Sequence, residues 1–212
     1  MRPHYKYDRL YRSAATRLIW LHGKVSALNP SVCHLHDETI AFVAIEALNV
    51  WSSFVRSYYL SWFLHPRTIA GQRISCSQHF VSFQDALAFS IQVLRRRRPN
   101  AGRLSRRDEP AWHVPSNLLS LGQAVGVSNF SEISSALSFG ATYADNLPTV
   151  RNFYAHRNDE TFSKVQRAAA LLGIGTNLRP CEFVCAALPS RPQNLISDWL
   201  DEMRITIELL CT

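Results

Sequence analysis

The chain has 212 residues, 47% of them hydrophobic and 18% charged, which excludes an intrinsically disordered chain and leaves room for one substantial core or two small ones, a single domain being the default. A formal net charge of +7 and a sequence pI near 9.5 point to an anionic partner, nucleic acid before an anionic membrane surface, and say nothing about fold. Five scattered cysteines (Cys33, Cys76, Cys181, Cys185, Cys211), and a start Met-Arg-Pro-His-Tyr-Lys without the apolar centre of a signal peptide, predict a reducing, cytoplasmic setting.

Residues 1–30 are basic and aromatic, with Leu10, Ala14, Leu18 and Leu21 on one side of a helix, so they read as a basic N-terminal helical arm. The arm either packs on the body or contacts RNA, the first reading being the simpler. From Asp37, placed to cap it, to Leu64 runs the strongest helical pattern. Ile40, Val43, Ala44, Ala47, Leu48, Trp51, Phe54, Val55, Tyr58 and Trp62 recur at three- and four-residue intervals. Glu46, Asn49, Ser53 and Arg56 fall on one polar stripe of that helix. The stripe is a solvated face with an internal Glu46/Asn49 hydrogen bond, or it borders a catalytic site. Glu46 and Arg56 interrupt the apolar run before it reaches the roughly 20 residues that span a bilayer, so no membrane insertion is expected.

Pro66 and Gly71 break the pattern, and helical spacing resumes from Val81 to Leu94. The Arg-rich loop, residues 95–110, begins Arg95-Arg96-Arg97-Arg98 and carries seven arginines before its first acid, Asp108. Self-repulsion, Pro99 and Gly102 predict a mobile loop, either a solvated insertion or a collector of RNA backbone. Ser116–Val125 and Ser131–Tyr143 read as helices around Gly126, with a passing likeness to a helix-turn-helix. Glu132, Ser134 and Ser135 give the second helix no basic group for phosphate, so two bundle helices explain the pair better. Pro148 suits the first turn of a further helix, whose opening would hold the polar run Thr149 to Asn158. Glu160 to Leu172 is a helix ended by Gly173 and Gly175, residues 176–190 read as irregular, and Leu195 to Leu210 closes the chain as an amphipathic helix. The fold class is all-α, a helical bundle formed by one domain over residues 1–212.

Arg151 and His156, with Asn152 directly after the arginine, form the pattern Arg-Asn-x-x-Ala-His. It resembles the Arg-x(4 to 6)-His motif of the HEPN superfamily, all-helical proteins that include metal-independent RNA endonucleases of toxin–antitoxin and phage-defence systems. The resemblance implies a HEPN-like bundle, a homodimer with a composite cleft, and an inhibitory antitoxin or other regulatory partner protein. It implies no cofactor and no metal.

The residue chemistry agrees. RNA carries its own nucleophile, so cleavage needs a base for the 2′-hydroxyl, an acid for the 5′-oxygen and positive charge on the phosphorane. Imidazole, with an unperturbed pKa of about 6.5, suits the proton transfers, and guanidinium offers a planar fork to phosphate oxygens. His156 is the candidate base or acid, Arg151 the charge stabiliser, and Asn152 the orienting group. Arg157, Asn158 and Arg95 to Arg98 are candidate RNA contacts, and Glu46, Asn49, Arg56 and Tyr154 candidate lining residues. Five residues on a regular helix turn through roughly 140° and rise about 7.5 Å, so the pair diverges on one helix and meets only across a two-fold axis.

Other readings stand beside this one. Arg151 and His156 can be a salt-bridge partner and a satisfied histidine of an inactive RNA-binding or interaction module, and a helix-turn-helix DNA binder ranks third. Cys33-His34-Leu35-His36 and Cys76-Ser77-Gln78-His79 lack the paired spacing of structural zinc sites, and Cys181 and Cys185 read as buried small residues.

Overall fold

The computed structural model describes residues 1–95, 106–139, 142–189 and 191–212. Among the described residues the fold is all-α. The α-helices are α1 (Tyr7–Val25), α2 (Asp37–Ser61), α3 (Phe83–Arg95), α4 (Pro115–Val125), α5 (Phe130–Ser138), α6 (Thr142–His156), α7 (Asp159–Leu171), α8 (Pro180–Cys185) and α9 (Leu195–Cys211). Short 3-10 turns occupy Cys33–His36 and Trp62–Leu64, and extended pairing is limited to isolated bridges such as Cys76 to Val127. The residues group into two compact units. The first comprises residues 1–14, 51–139 and 206–212, the second residues 15–50 and 140–205.

The first unit is built on aromatic side chains. Trp51, Phe54, Tyr58, Tyr59 and Trp62 are almost wholly buried. Tyr58 stacks on Tyr7 with ring centroids 4.7 Å apart and on Phe54 at 5.7 Å. Burying one such side chain stabilises by about 1.5–3 kcal/mol, and the phenols add hydrogen bonds that avoid orphaned donors. Tyr58 Oη donates to the Leu210 carbonyl at 2.9 Å and Tyr59 Oη to the Ala86 carbonyl at 2.7 Å. Gly126 ends α4 in the left-handed region (φ 60°), where a Cβ would sit 2.7 Å from Ser77 Oγ, so no other residue fits without strain. Ile133 and Leu137 of α5 face inward, while Ser131, Glu132 and Ser135 face out.

The second unit packs Leu18, Leu21 and Val25 of α1, Ile40, Val43, Ala44 and Ala47 of α2, Tyr143, Leu147 and Val150 of α6, and Trp199, Leu200 and Met203 of α9. Asn194 ties this unit's loops together, its Nδ2 donating to the Val25 and Leu28 carbonyls at 2.9 and 3.0 Å.

Cys33–Leu64 is the one described helical stretch long and apolar enough to cross a bilayer, and half of its most apolar window is buried within the fold. Three element expectations need correcting. The helix expected over Ser131–Tyr143 ends at Ser138, and Tyr143 belongs to α6. The helix expected to start at Pro148 starts at Thr142, with Pro148 in its interior. The stretch 176–190, expected to be irregular, contains α8, whose first turn is closed by Glu182 accepting from the Arg179 backbone N–H at 2.8 Å.

Arg96, Arg97 and Arg98, expected in a mobile loop, lie outside the described residues. Arg95 instead closes α3, its guanidinium Nη2 donating to the Glu109 carbonyl at 2.9 Å.

Candidate functional site

The run Thr149 to His156 occupies the last two turns of α6, not the first turn of a helix. This reverses the local electrostatics. A helix C-terminus carries about half a negative charge, so it favours the cationic side chains gathered there but supplies no ring of backbone N–H groups for an anion. The following N-terminus, that of α7, opens on Asp159 and Glu160 and is capped from within the chain. Asn158 Oδ1 accepts from the Thr161 backbone N–H at 2.9 Å and from Thr161 Oγ1 at 3.0 Å. Asn158 thus holds the α6–α7 corner together, a capping role where the sequence suggested an RNA contact.

Arg157 makes the corner itself. Its φ of 45° breaks α6, and its backbone N–H donates to the Phe153 carbonyl at 2.6 Å. Its guanidinium lies 3.5 Å from Asp37 Oδ2 and 5.8 Å from the centre of the Tyr154 ring. Tyr154 is only 6% exposed, and its hydroxyl donates to Asp37 Oδ1 at 2.9 Å. Burial pushes the phenol's pKa far above its usual value, and the neighbouring Asp37 carboxylate pushes it the same way, so Tyr154 is a permanent donor. Tyr154 therefore anchors α6 to the start of α2. Asp37, which the sequence suggested only as a cap, turns out to be the residue that fixes the end of α6. No spacing along the chain signals a partnership across 117 positions.

The three central residues remain accessible. Asn152 and His156 are exposed and Arg151 is half-buried. Arg151 Nη1 donates to Asn152 Oδ1 at 3.2 Å, which aligns the guanidinium with the neighbouring amide. Among the described residues no carboxylate forms an ion pair with Arg151 or His156. Both lie on one continuous helix, so the divergence of about 140° expected for a five-residue separation holds here.

The polar stripe of α2 finds partners locally. Glu46 Oε2 lies 2.6 Å from Arg17 Nη2, and Glu46 Oε1 accepts from Asn49 Nδ2 at 3.0 Å, the internal hydrogen bond of a solvated face. Arg56 grips Glu109 with Nε and Nη2 at 2.6 and 2.9 Å, and Trp112 Nε1 donates to the same carboxylate at 2.8 Å. These contacts give Glu46, Asn49 and Arg56 structural partners, and Arg56 also lines a cavity with Ser53, Arg106 and Glu109.

Among the described residues no group of three or more His, Cys, Asp or Glu side chains could hold a metal ion. Cys33, Cys76, Cys181 and Cys185 are buried free thiols, and burial raises the pKa of each. No protein-family model, curated protein or solved structure matches this chain.

Proposed function

We propose that this protein is a metal-independent endoribonuclease of HEPN type, acting as a homodimer in a toxin or antiviral-defence setting. The reading rests on one observation. At the exposed end of α6, Arg151 and His156 stand unpaired by any acid among the described residues, while Tyr154 and Arg157 contact Asp37 and Asn158 caps the next helix. A half-buried guanidinium and an exposed imidazole, neither neutralised by an acid, are the two groups that phosphodiester transesterification needs.

In the proposed reaction His156 of one chain removes the proton of the ribose 2′-hydroxyl, and O2′ attacks phosphorus. Arg151 compensates the charge on the equatorial oxygens, with Asn152 holding its fork. The bond from phosphorus to O5′ breaks, and the second chain's histidine protonates the departing oxygen. The products are a 2′,3′-cyclic phosphate and a 5′-hydroxyl. The divergence of the two side chains on α6 is the reason for the two-fold axis.

The test is cleavage of end-labelled RNA in EDTA by wild type, Arg151→Ala and His156→Ala. Loss of a general acid–base group typically costs about 10²–10⁴ in rate. The reading fails if His156→Ala cleaves like wild type, if cleavage requires a divalent cation, or if wild type cuts no RNA.

A second reading, a non-enzymatic RNA-binding module, is favoured by the position of the motif at a helix C-terminus, where backbone N–H groups give phosphate no help. RNA binding without cleavage at any pH supports it.

A further inference from the structure

In the second unit, α1 and α2 expose large apolar side chains next to each other. Trp20 is 54% exposed, Ile19 62% and Phe42 44%, whereas Trp51, Trp62 and Trp199 are wholly buried. The Trp20 and Phe42 rings meet edge to face, 5.9 Å apart at 85°. The Lys24 ammonium sits over the indole, 4.2 Å from its centre. One helical turn before Trp20 lies Arg17, its side chain 55% exposed and paired with Glu46, while exposed Glu38 lies one turn before Phe42 and Asp201 lines a small cavity beside Ile19. Within this unit's part of α1, residues 15–25, the sequence contains no Asp or Glu but does contain Arg17 and Lys24.

This combination selects its occupant. An apolar partner surface would match Ile19 and the two rings but would leave Lys24 buried and unpaired against it, which is costly. A polyanion gains from the lysine, and its bases gain from the rings, since every base has a face that stacks on an aromatic side chain. In a duplex the bases already stack on one another, so only an unpaired strand can use Trp20.

We propose that Trp20 and Phe42, flanked by Lys24 and Arg17, form a stacking platform for an unpaired nucleic-acid strand. A base lies on the indole in place of the Lys24 ammonium, which moves onto the adjoining phosphate, and Phe42 supports the indole edge or meets the next base. The platform binds with no chemistry of its own and does not depend on cleavage at His156.

The experiment measures fluorescence anisotropy of labelled oligo(U) and oligo(dT) of about twelve nucleotides, within the usual footprint of such binders, beside an RNA duplex of the same length. The full chain is used in EDTA, as wild type, Trp20→Ala, Phe42→Ala and Lys24→Ala. Circular dichroism checks that each variant is folded, as exposed positions should allow. Oligo(dT) lacks the 2′-hydroxyl, so its binding is read whether or not the protein is a nuclease. Trp20→Ala is expected to raise Kd for both single strands about fivefold or more, the low end of a lost stacking contact, and to leave the duplex within about twofold. Phe42→Ala should have a smaller effect in the same direction, and Lys24→Ala should flatten the salt dependence.

Tight oligo(U) binding with weak oligo(dT) binding, both lost in Trp20→Ala, also supports the platform and assigns it to RNA. The platform is overturned if wild type binds neither single strand, or if Trp20→Ala binds them like wild type. Equal weakening of single strand and duplex also overturns it, as does a wild-type dimer that Trp20→Ala turns into a monomer with unchanged strand affinity.

Discussion

The Tyr154 hydroxyl, near the end of α6, donates a 2.9 Å hydrogen bond to the Asp37 carboxylate at the start of α2. The same carboxylate faces the Arg157 guanidinium at 3.5 Å, so one acid fixes both the last turn of α6 and the corner after it. Because Arg151 and His156 are on that segment, these contacts help to position them.

Tyr154→Phe keeps the ring and removes the donor, leaving Asp37 short of one partner. A loss of about 1–2 kcal/mol is expected, seen as a fall in Tm of a few degrees by circular dichroism. An unchanged Tm would show that the contact does not hold α6. In a spectrophotometric titration of the folded protein, Tyr154 should contribute no tyrosinate absorbance through pH 11, because burial and Asp37 both oppose ionisation.

The Arg56–Glu109 pair gives a larger effect. The Glu109 side chain is 7% exposed and takes two hydrogen bonds from Arg56, so Arg56→Met strands a buried carboxylate and should cost about 3 kcal/mol or more in urea unfolding. Arg56→Met with Glu109→Gln should recover more than half of that loss, since the amide still accepts from Trp112 without carrying charge. No recovery in the double variant would mean that packing, not the charge, accounts for the cost.

Asp198 carries a pH dependence of predictable sign. Burial raises its pKa above the usual carboxylate range, Arg191 pulls it back, and Glu202 and Asp201 push it up. The folded state therefore holds this proton more tightly than the unfolded chain. The stabilisation is complete below the unfolded value of about 3.9 and is lost as pH rises through the folded value. Asp198→Asn should melt higher than wild type at pH 7, with the gap closing toward pH 4. A wild type more stable than the variant at pH 7 would contradict the sign.

All five cysteines are buried, with Cys185 pushed up to about 11 and Cys181 to about 12, in both cases first by burial. Iodoacetamide at pH 8 should leave the native protein unmodified by mass spectrometry and add five labels in guanidinium. Rapid labelling of the native protein at Cys181 or Cys185 would mean that α8 opens readily.

Pro148 lacks an N–H and crowds the carbonyl of Ala144 from inside α6. Pro148→Ala restores a ladder hydrogen bond, and a Tm rise of a few degrees is expected, reduced by the greater freedom of the unfolded chain. A lower Tm would mean that the proline ring's packing in α6 outweighs the missing hydrogen bond.

By itself the sequence determined the helical character and most of the elements, because apolar spacing of three and four residues is a local property of a helix face. The buried members of α1 (Leu10, Ala14, Leu18, Leu21) and of α2 (Ile40, Val43, Ala44, Ala47, Trp51) are the ones the spacing selects. It also supplied the Arg151–His156 pattern on which the proposed phosphodiester chemistry rests. Only the tertiary structure decided where α6 begins. An interior proline costs about 3 kcal/mol, but Tyr143, Leu147, Val150 and Tyr154 are all buried on one stripe that runs through it, each contributing about 1.5–3 kcal/mol. Packing therefore outweighs the local rule, and the Arg151–His156 segment becomes a helix end rather than a helix start. The contacts of Tyr154, Arg157 and Asn158 were decided the same way, since a carboxylate more than a hundred residues distant and a cap on the next helix are set by how chain segments meet, not by their neighbours in sequence.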